Sequence, residues 1–303
     1  MNIRDLQYVV AVDEERHFGR AAERCHVSQP ALSGQIRKLE DFLGVTLFER
    51  TNRSVHTTPI GLRIVAQAQQ LLHLSDDIIA TAQSAKSPFA GAFRLGMIST
   101  IGPYLAPLIL ATIRETMPDL SLTLVESVTT DLETRVAAGD LDGAVIATSP
   151  IEVQLSSRDL YEEPFWVAMS SSHPLASETS LEIDAIRHEE LLLLSDGHCL
   201  RDQVLDVCHR RPGDEKINTF QTSIETLLSL VATGRGVTLA PALTLAGRSR
   251  ADEGLVLRPQ ASGKAGRLVN LIFRRTYPRD ELINRIARVI QDSVPLDLVH
   301  RCH

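Results

Sequence analysis

Residues 22–44 read "AERCHVSQPALSGQIRKLEDFLG", and this stretch restricts the possible folds more than any other. Residues 19–25 have helical spacing, and Ala21 and Ala22 are small enough to let a second helix pack closely. His26-Val27 predicts a turn. Ser28 is a good N-cap for the next helix, and Pro30 falls in its first turn, where a missing N–H costs nothing. Leu32, Ile36, Leu39 and Leu43 recur at helical spacing and predict the buried face. Gln29, Ser33 and Arg37 share another face that can reach base edges or phosphates, with Pro30 at its leading end. Two short β-like runs follow, "VTLFER" and "SVHTT", around a turn at Thr51-Asn52-Arg53. They predict a wing whose Arg50 and Arg53 contact phosphate. Helix, turn, capped recognition helix and basic wing in this order predict a winged helix-turn-helix that binds double-stranded DNA. The plainer reading is a three-helix module whose polar face is only solvated.

Charge is consistent with such a module. The chain carries a net charge of −7, yet residues 16–63 hold eight Lys/Arg against four Asp/Glu, a local +4. A small basic module on an acidic body suits a DNA-binding domain joined to a separate sensing domain. At 303 residues and 44% hydrophobic, the chain can bury two or more cores. The N-terminus shows no basic-then-apolar leader, and no apolar run approaches the ~20 residues of a membrane span, so a soluble cytoplasmic protein is expected. Four cysteines do not make a disulfide framework, and in a reducing compartment their thiols should be free.

Thr58 predicts the cap of a long helix with Pro59 at its first position. Along it Ile64, Ala68, Leu71, Ser75, Ile78 and Ala82 alternate spacings of four and three, a heptad-like seam. A length of roughly 40 Å exceeds what a connector needs and predicts a dimerisation helix. From Phe93 onward strands and helices alternate, which predicts a mostly parallel α/β sheet in two Rossmann-like lobes of periplasmic-binding-protein type. A cleft between the lobes would suit a small molecule, with N–H groups near Thr222-Ser223 available to an anion. The expected boundaries are 1–58 for the DNA-binding domain and 59–88 for the linker helix. Residues 89–303 form the regulatory domain, one lobe from 89–161 and 268–303 and the other from 162–267.

Within that domain residues 196–209 read "DGHCLRDQVLDVCH". A zinc site is disfavoured because no C-x₂-C pair is present, and neither metal nor other cofactor is expected. Inert buried thiols are a serious alternative. Against it, a helix capped by Ser195 or Asp196 and ended by Pro212-Gly213 would place Cys199 in its first turn. There the helix dipole, His198 and Arg201 would supply positive charge or hydrogen bonds and favour the thiolate. Cys208, flanked only by Arg210 and Arg211, reads as a resolving partner. Nine positions on a continuous helix put the two thiols on opposite faces and roughly 13 Å apart, against a Cα limit of ~7 Å for a disulfide. If they bond, the segment must refold, as a redox switch requires.

"RAAERCHVSQPALSGQIRKLEDFLGVTLFER", "TTPIG" and "GRGVTLAPA" resemble the LysR-type transcriptional regulators over essentially the full length. "HVSQPALSGQIRKLED", "GPYLAP" and above all "DGHCLRDQ" followed by Cys208 resemble the peroxide-sensing members of that family. The resemblance implies that Cys199 reacts with hydrogen peroxide to give a sulfenic acid and that Cys208 condenses with it. The disulfide form would then alter a homotetramer's contacts with promoter DNA. It further implies peroxide-binding or activating roles for Thr100, Thr129, His198 and Asp202, with Arg267 near the thiol and Arg201 joining them. Each has a plain alternative: helix caps for the threonines, surface charges for Asp202 and Arg267. RNA polymerase and thiol reductases are expected partners, and no enzymatic turnover is expected. A LysR-type regulator sensing a small carboxylate, with structural cysteines, is the alternative; a thiol peroxidase built around Cys199 is a third. Cys25 is expected to be a small core residue and Cys302 a bystander on a frayed end.

Overall fold

The structure is a computed structural model that describes residues 1–50, 55–84, 87–246, 254–263 and 265–302. It divides into two compact units, Met1–Ala82 and Gln83–His303.

The first unit opens with helix α1 (Ile3–Glu15), which the sequence reading did not single out. Its signal is nonetheless local: Asn2 Oδ1 accepts from Asp5 N at 3.0 Å while Asp5 accepts from Asn2 N at 2.8 Å, a reciprocal capping box. Helices α2 (Phe18–Arg24) and α3 (Gln29–Leu43) follow across a turn in which His26 takes a left-handed φ of 54°. Ser28 caps α3 by accepting from Ala31 N at 3.4 Å, and Gly44 ends it in the left-handed region. Leu32, Ile36 and Leu39 are buried with Val9, Val12, Ala21 and Leu47, while Leu43 packs at the margin. Strands β1 (Phe48–Arg50) and β2 (Val55–Thr57) pair antiparallel as the wing. Thr58 Oγ1 then accepts from Gly61 N at 2.9 Å and starts helix α4 (Pro59–Ser84). Gly61 is needed there, since a Cβ would meet Leu47 O at 2.3 Å. Of the seam on α4, Ala68 is buried, while Leu71 and Ile78, with the neighbouring Leu74 and Ile79, are exposed.

The second unit begins with β3 (Gly91–Ile98), α5 (Gly102–Thr116), β4 (Leu120–Ser127), α6 (Thr129–Ala138) and β5 (Gly143–Ile146). The long β6 (Leu155–Ser170) leads to β7 (Leu191–Leu194), α7 (Cys199–Val207) and β8 (Ile217–Phe220). Then come α8 (Ile224–Ala232), β9 (Thr238–Pro241), β10 (Leu255–Pro259), β11 (Gly266–Arg274), α9 (Asp280–Ser293) and β12 (His300–Arg301). Strand order is β10-β6-β11-β5-β3-β4, with β9 and β12 also pairing with β6 and β7 pairing with β8. The expectation of a mostly parallel sheet needs correction. The pairs β3–β4, β3–β5 and β7–β8 are parallel, but every described pairing of β6 and β11 is antiparallel. The cause is topological: β6 runs from one α/β lobe into the other and β11 returns beside it, so the crossing strands oppose one another. The architecture is thus a winged helix-turn-helix, a long helix and a two-lobed α/β domain. Cys302 does not lie on a frayed end either, because its N–H donates to Leu160 O at 3.2 Å and its carbonyl accepts from Gln291 Nε2 at 3.0 Å. No described helix is long and apolar enough to cross a membrane.

Candidate functional site

On α3 the side chains of Gln29, Pro30 and Arg37 are exposed and that of Ser33 is half-buried, on a face that flanks the Leu32–Ile36–Leu39 core face. Glu40 holds the wing against this helix by accepting from Leu47 N at 2.7 Å and Phe48 N at 3.2 Å. Arg50 closes β1, whereas Arg53 lies outside the described residues. The local charge count is less telling than it looked. Arg16 pairs with Asp13 at 3.2 Å, Arg20 with Glu15 at 3.2 Å, and Arg24 with Glu14. Counted from the first residue, residues 1–63 hold nine Lys/Arg and eight Asp/Glu. Arg37 and Lys38 on α3 are exposed, and neither is in an ion pair among the described residues.

The cysteine segment is a helix with different ends from those predicted. After β7, Gly197 turns the chain at φ 94°, which no other residue type adopts easily, and the extended His198 becomes the N-cap. Ser195 and Asp196 therefore lie outside the helix, and Cys199 occupies its first position. Leu200, Val204 and Leu205 are buried. The helix ends before Pro212-Gly213. His209 takes φ 51°, and the bonds Arg210 N→Leu205 O (2.9 Å) and His209 N→Asp206 O (3.1 Å) close a Schellman motif. Cys208 is the C-cap residue, so the two thiols stand at opposite ends of α7, roughly 13 Å apart along its axis. All four cysteines are free. Burial pushes the Cys208 thiol up to about 11, opposed weakly by the Arg210 charge.

Cys199 is half-buried and forms one wall of a narrow recess that has no room for a water-sized molecule as it stands. Its other walls come from the ends of β3 and β4 and the start of α6, and include Ser99, Thr100 and Thr129, with His198 at the rim. Burial lowers the His198 pKa and so favours its uncharged imidazole. It contributes a hydrogen bond, Nδ1 to Ser99 Oγ at 3.4 Å, the second of the two roles the sequence offered for it. Thr129 is not the cap of α6, a position held by Val128, and its Oγ1 is buried without a partner among the described residues. Thr100 is buried and accepts from Arg267 Nη1 at 2.9 Å, and its carbonyl accepts from Arg267 Nη2 at 3.1 Å. Arg267 is no surface charge; its side chain and that of Glu163 are fully buried, 2.8 Å apart.

The structure therefore gathers Thr100, Thr129, His198 and Cys199, with Arg267 behind Thr100. Arg201 and Asp202 turn to each other: Arg201 Nη1 pairs with Asp202 at 3.0 Å and with Asp196 at 2.8 Å, and the Asp202 side chain is exposed. Sequence reasoning missed Glu163 and Gln203. Gln203 Nε2 donates to Ala147 O at 2.7 Å and so ties α7 to the end of β5. Glu163 had a readable signal, since it alternates with Tyr161 and Phe165 on the inward face of an apolar strand, where an acid needs a reason. Among the described residues no three His, Cys, Asp or Glu side chains gather as metal donors.

Comparison with known proteins bears on this geometry. Residues 3–62 match the bacterial regulatory helix-turn-helix protein family of lysR type, and residues 86–295 match the LysR substrate binding domain. A hydrogen peroxide-inducible genes activator of Pectobacterium carotovorum subsp. carotovorum is 40% identical, covering 97% of each chain. Among solved structures, a cysteine-to-aspartate variant of full-length OxyR from Pseudomonas aeruginosa superposes with a TM-score of 0.80 at 38% identity, covering 96% of this chain and 95% of that one. A cysteine-to-serine variant of Corynebacterium glutamicum OxyR with hydrogen peroxide bound gives a TM-score of 0.66 at 32% identity, covering 96% and 92%. Two-domain architecture, family matches over both halves and full-length relatives agree: the chain belongs to the LysR family of DNA-binding helix-turn-helix transcriptional regulators, among the relatives of OxyR.

Proposed function

We propose that this chain is a hydrogen-peroxide-sensing transcriptional regulator in which Cys199 is oxidised first and Cys208 resolves it. The observation that carries the reading is the tight recess at Cys199, where the buried Thr129 hydroxyl has no partner among the described residues. A buried polar group left unpaired is costly, and a small ligand rich in hydrogen-bonding oxygens would relieve that cost. The Cys199 thiolate attacks one peroxide oxygen; the S–O bond forms, the O–O bond breaks, and hydroxide leaves. Cys208 sulfur then attacks the sulfenic sulfur, and its proton departs with the hydroxyl as water, leaving the disulfide. Thr100, Thr129 and His198 contact the oxidant, Arg267 supports Thr100, and Arg201 and Asp202 act only once α7 rearranges.

Gln29, Pro30, Ser33 and Arg37, with Arg50 and Arg53 of the wing, contact promoter DNA. Residues 1–58 bind it, 59–88 pair two copies, and 89–303 sense. The working form is a cytoplasmic homotetramer that meets RNA polymerase and is reset by thiol reductases. The chemistry is one event per reset rather than enzymatic turnover. A sensor of small carboxylates is less well supported, because Ser223 itself caps α8 by accepting from Thr226 N at 3.2 Å.

The test is to treat the reduced full-length protein with stoichiometric peroxide and map its disulfides by mass spectrometry. A Cys199–Cys208 bond is expected, together with an altered promoter footprint, and Cys199→Ser should abolish both. Absence of that bond, or a Cys199→Ser protein that responds like wild type, would sink the proposal.

A further inference from the structure

Behind the recess, one carboxylate has both oxygens committed. Glu163 Oε2 accepts from Arg267 Nε at 2.8 Å, and Oε1 accepts from Leu243 N at 2.8 Å. Glu163 on β6 and Arg267 on β11 are directly opposed in the ladder, and both side chains are fully buried. A guanidinium is planar, so fixing its Nε edge fixes where its two Nη groups point. Here they point at Thr100 Oγ1 and Thr100 O. A threonine oxygen that accepts from a cation keeps its own proton for a different acceptor. Thr100 lines the recess beside Cys199.

We propose that Glu163 is a positioning residue for peroxide reduction at Cys199: by locking Arg267 onto Thr100 it commits the Thr100 hydroxyl to donate into the recess. The inference rests on the reading of Cys199 as the peroxide-reactive thiol. As the S–O bond forms and the O–O bond breaks, negative charge collects on the departing oxygen, which leaves as hydroxide and is neutralised by buffer acid in the solvent. A fixed donor acts most strongly at that point, because it interacts with the departing oxygen more than with intact peroxide. Without the Glu163 charge, Arg267 is a buried cation with an unpaired Nε–H, and only Thr100 itself is left to orient its plane. In a glutamine at this position the amide N–H would face either Arg267 Nε–H or Leu243 N–H, donor against donor.

A purely structural role, pinning the Leu243 segment to β6, predicts something different, and two electrophiles separate the roles. The rate of Cys199 modification is measured with hydrogen peroxide and with iodoacetamide, on reduced full-length wild type, E163Q and E163D. Iodoacetamide has no departing oxygen for Thr100 to serve. E163Q is expected to slow the peroxide reaction at least about tenfold and to leave alkylation within about twofold of wild type. E163D, which keeps the charge, should recover part of the peroxide rate. If E163Q does not fold, E163D against wild type carries the test, with the peroxide rate falling and the alkylation rate not. A peroxide rate within about twofold of wild type, or parallel loss of both rates, overturns the inference. A wild-type protein that reacts with peroxide no faster than free cysteine overturns the sensor reading itself, a result that needs no variant.

Discussion

Cys208 carries a stability consequence separate from its chemistry. Burial holds its thiol at about 11, whereas the unfolded chain releases that proton near pH 8.5 to 9. Below that range both states keep the proton and the contribution is fully present. As pH rises toward 11 the unfolded state loses its proton first, so stability falls, by up to about 3 kcal/mol from this group. Denaturation midpoints between pH 8 and 11 should therefore decline more steeply for wild type than for Cys208→Ala, and equal slopes would contradict the assignment. At this scale the sequence was only partly informative. Cys199 was readable from its own surroundings, but Thr100 and Thr129 were reached through the family resemblance. The burial of Arg267 depends on Glu163, 104 positions away in the chain. No local pattern brings such a pair together. Arg201 illustrates the converse, since its neighbours Asp196 and Asp202 take up its charge.

At the scale of elements, α7 separates the two thiols. Its hydrogen-bonded length, closed by the His209 Schellman motif, must be given up before sulfur can reach sulfur. Hydrogen exchange should therefore find the amides of Val204 and Cys208 protected in the reduced protein. They should exchange at least about 100-fold faster once the disulfide forms. Retained protection in the oxidised protein would mean the helix survives and the pairing geometry is wrong. Apolar spacing predicted where α3 and α4 lie, and cap and stop residues predicted α7. Their ends were less legible: Gly197 bends the chain late and moves the cap to His198, and the left-handed His209 ends the helix without the expected glycine. The short strands β10 and β12 have no readable signal of their own, because their partner, β6, is remote in sequence and their patterns are brief.

For the molecule as a whole, the exposed row on α4 is a continuous apolar surface of the first unit. Leu71, Leu74, Ile78 and Ile79 are 48%, 55%, 72% and 54% exposed, more than a lone helix in water tolerates without cost. A second copy of the same helix is the proposed cover. Ile78→Glu should then weaken self-association at least about tenfold in sedimentation equilibrium, by placing two carboxylates in one seam. Unchanged association would place the interface elsewhere. Architecture was legible at this scale because helix period, strand alternation and caps are local. The antiparallel crossing of β6 and β11 was not, because direction in a sheet depends on which distant strand becomes the neighbour.

The buried Glu163–Arg267 pair has one more consequence, for ionic strength. Mobile ions screen charges that water can reach, and this pair is sealed from water, whereas Arg37 and Lys38 on the recognition helix are open to it. Added salt should therefore loosen the grip on DNA while leaving the reactivity of the thiol where it was, so that hearing the signal and acting on it answer to different properties of the same solution.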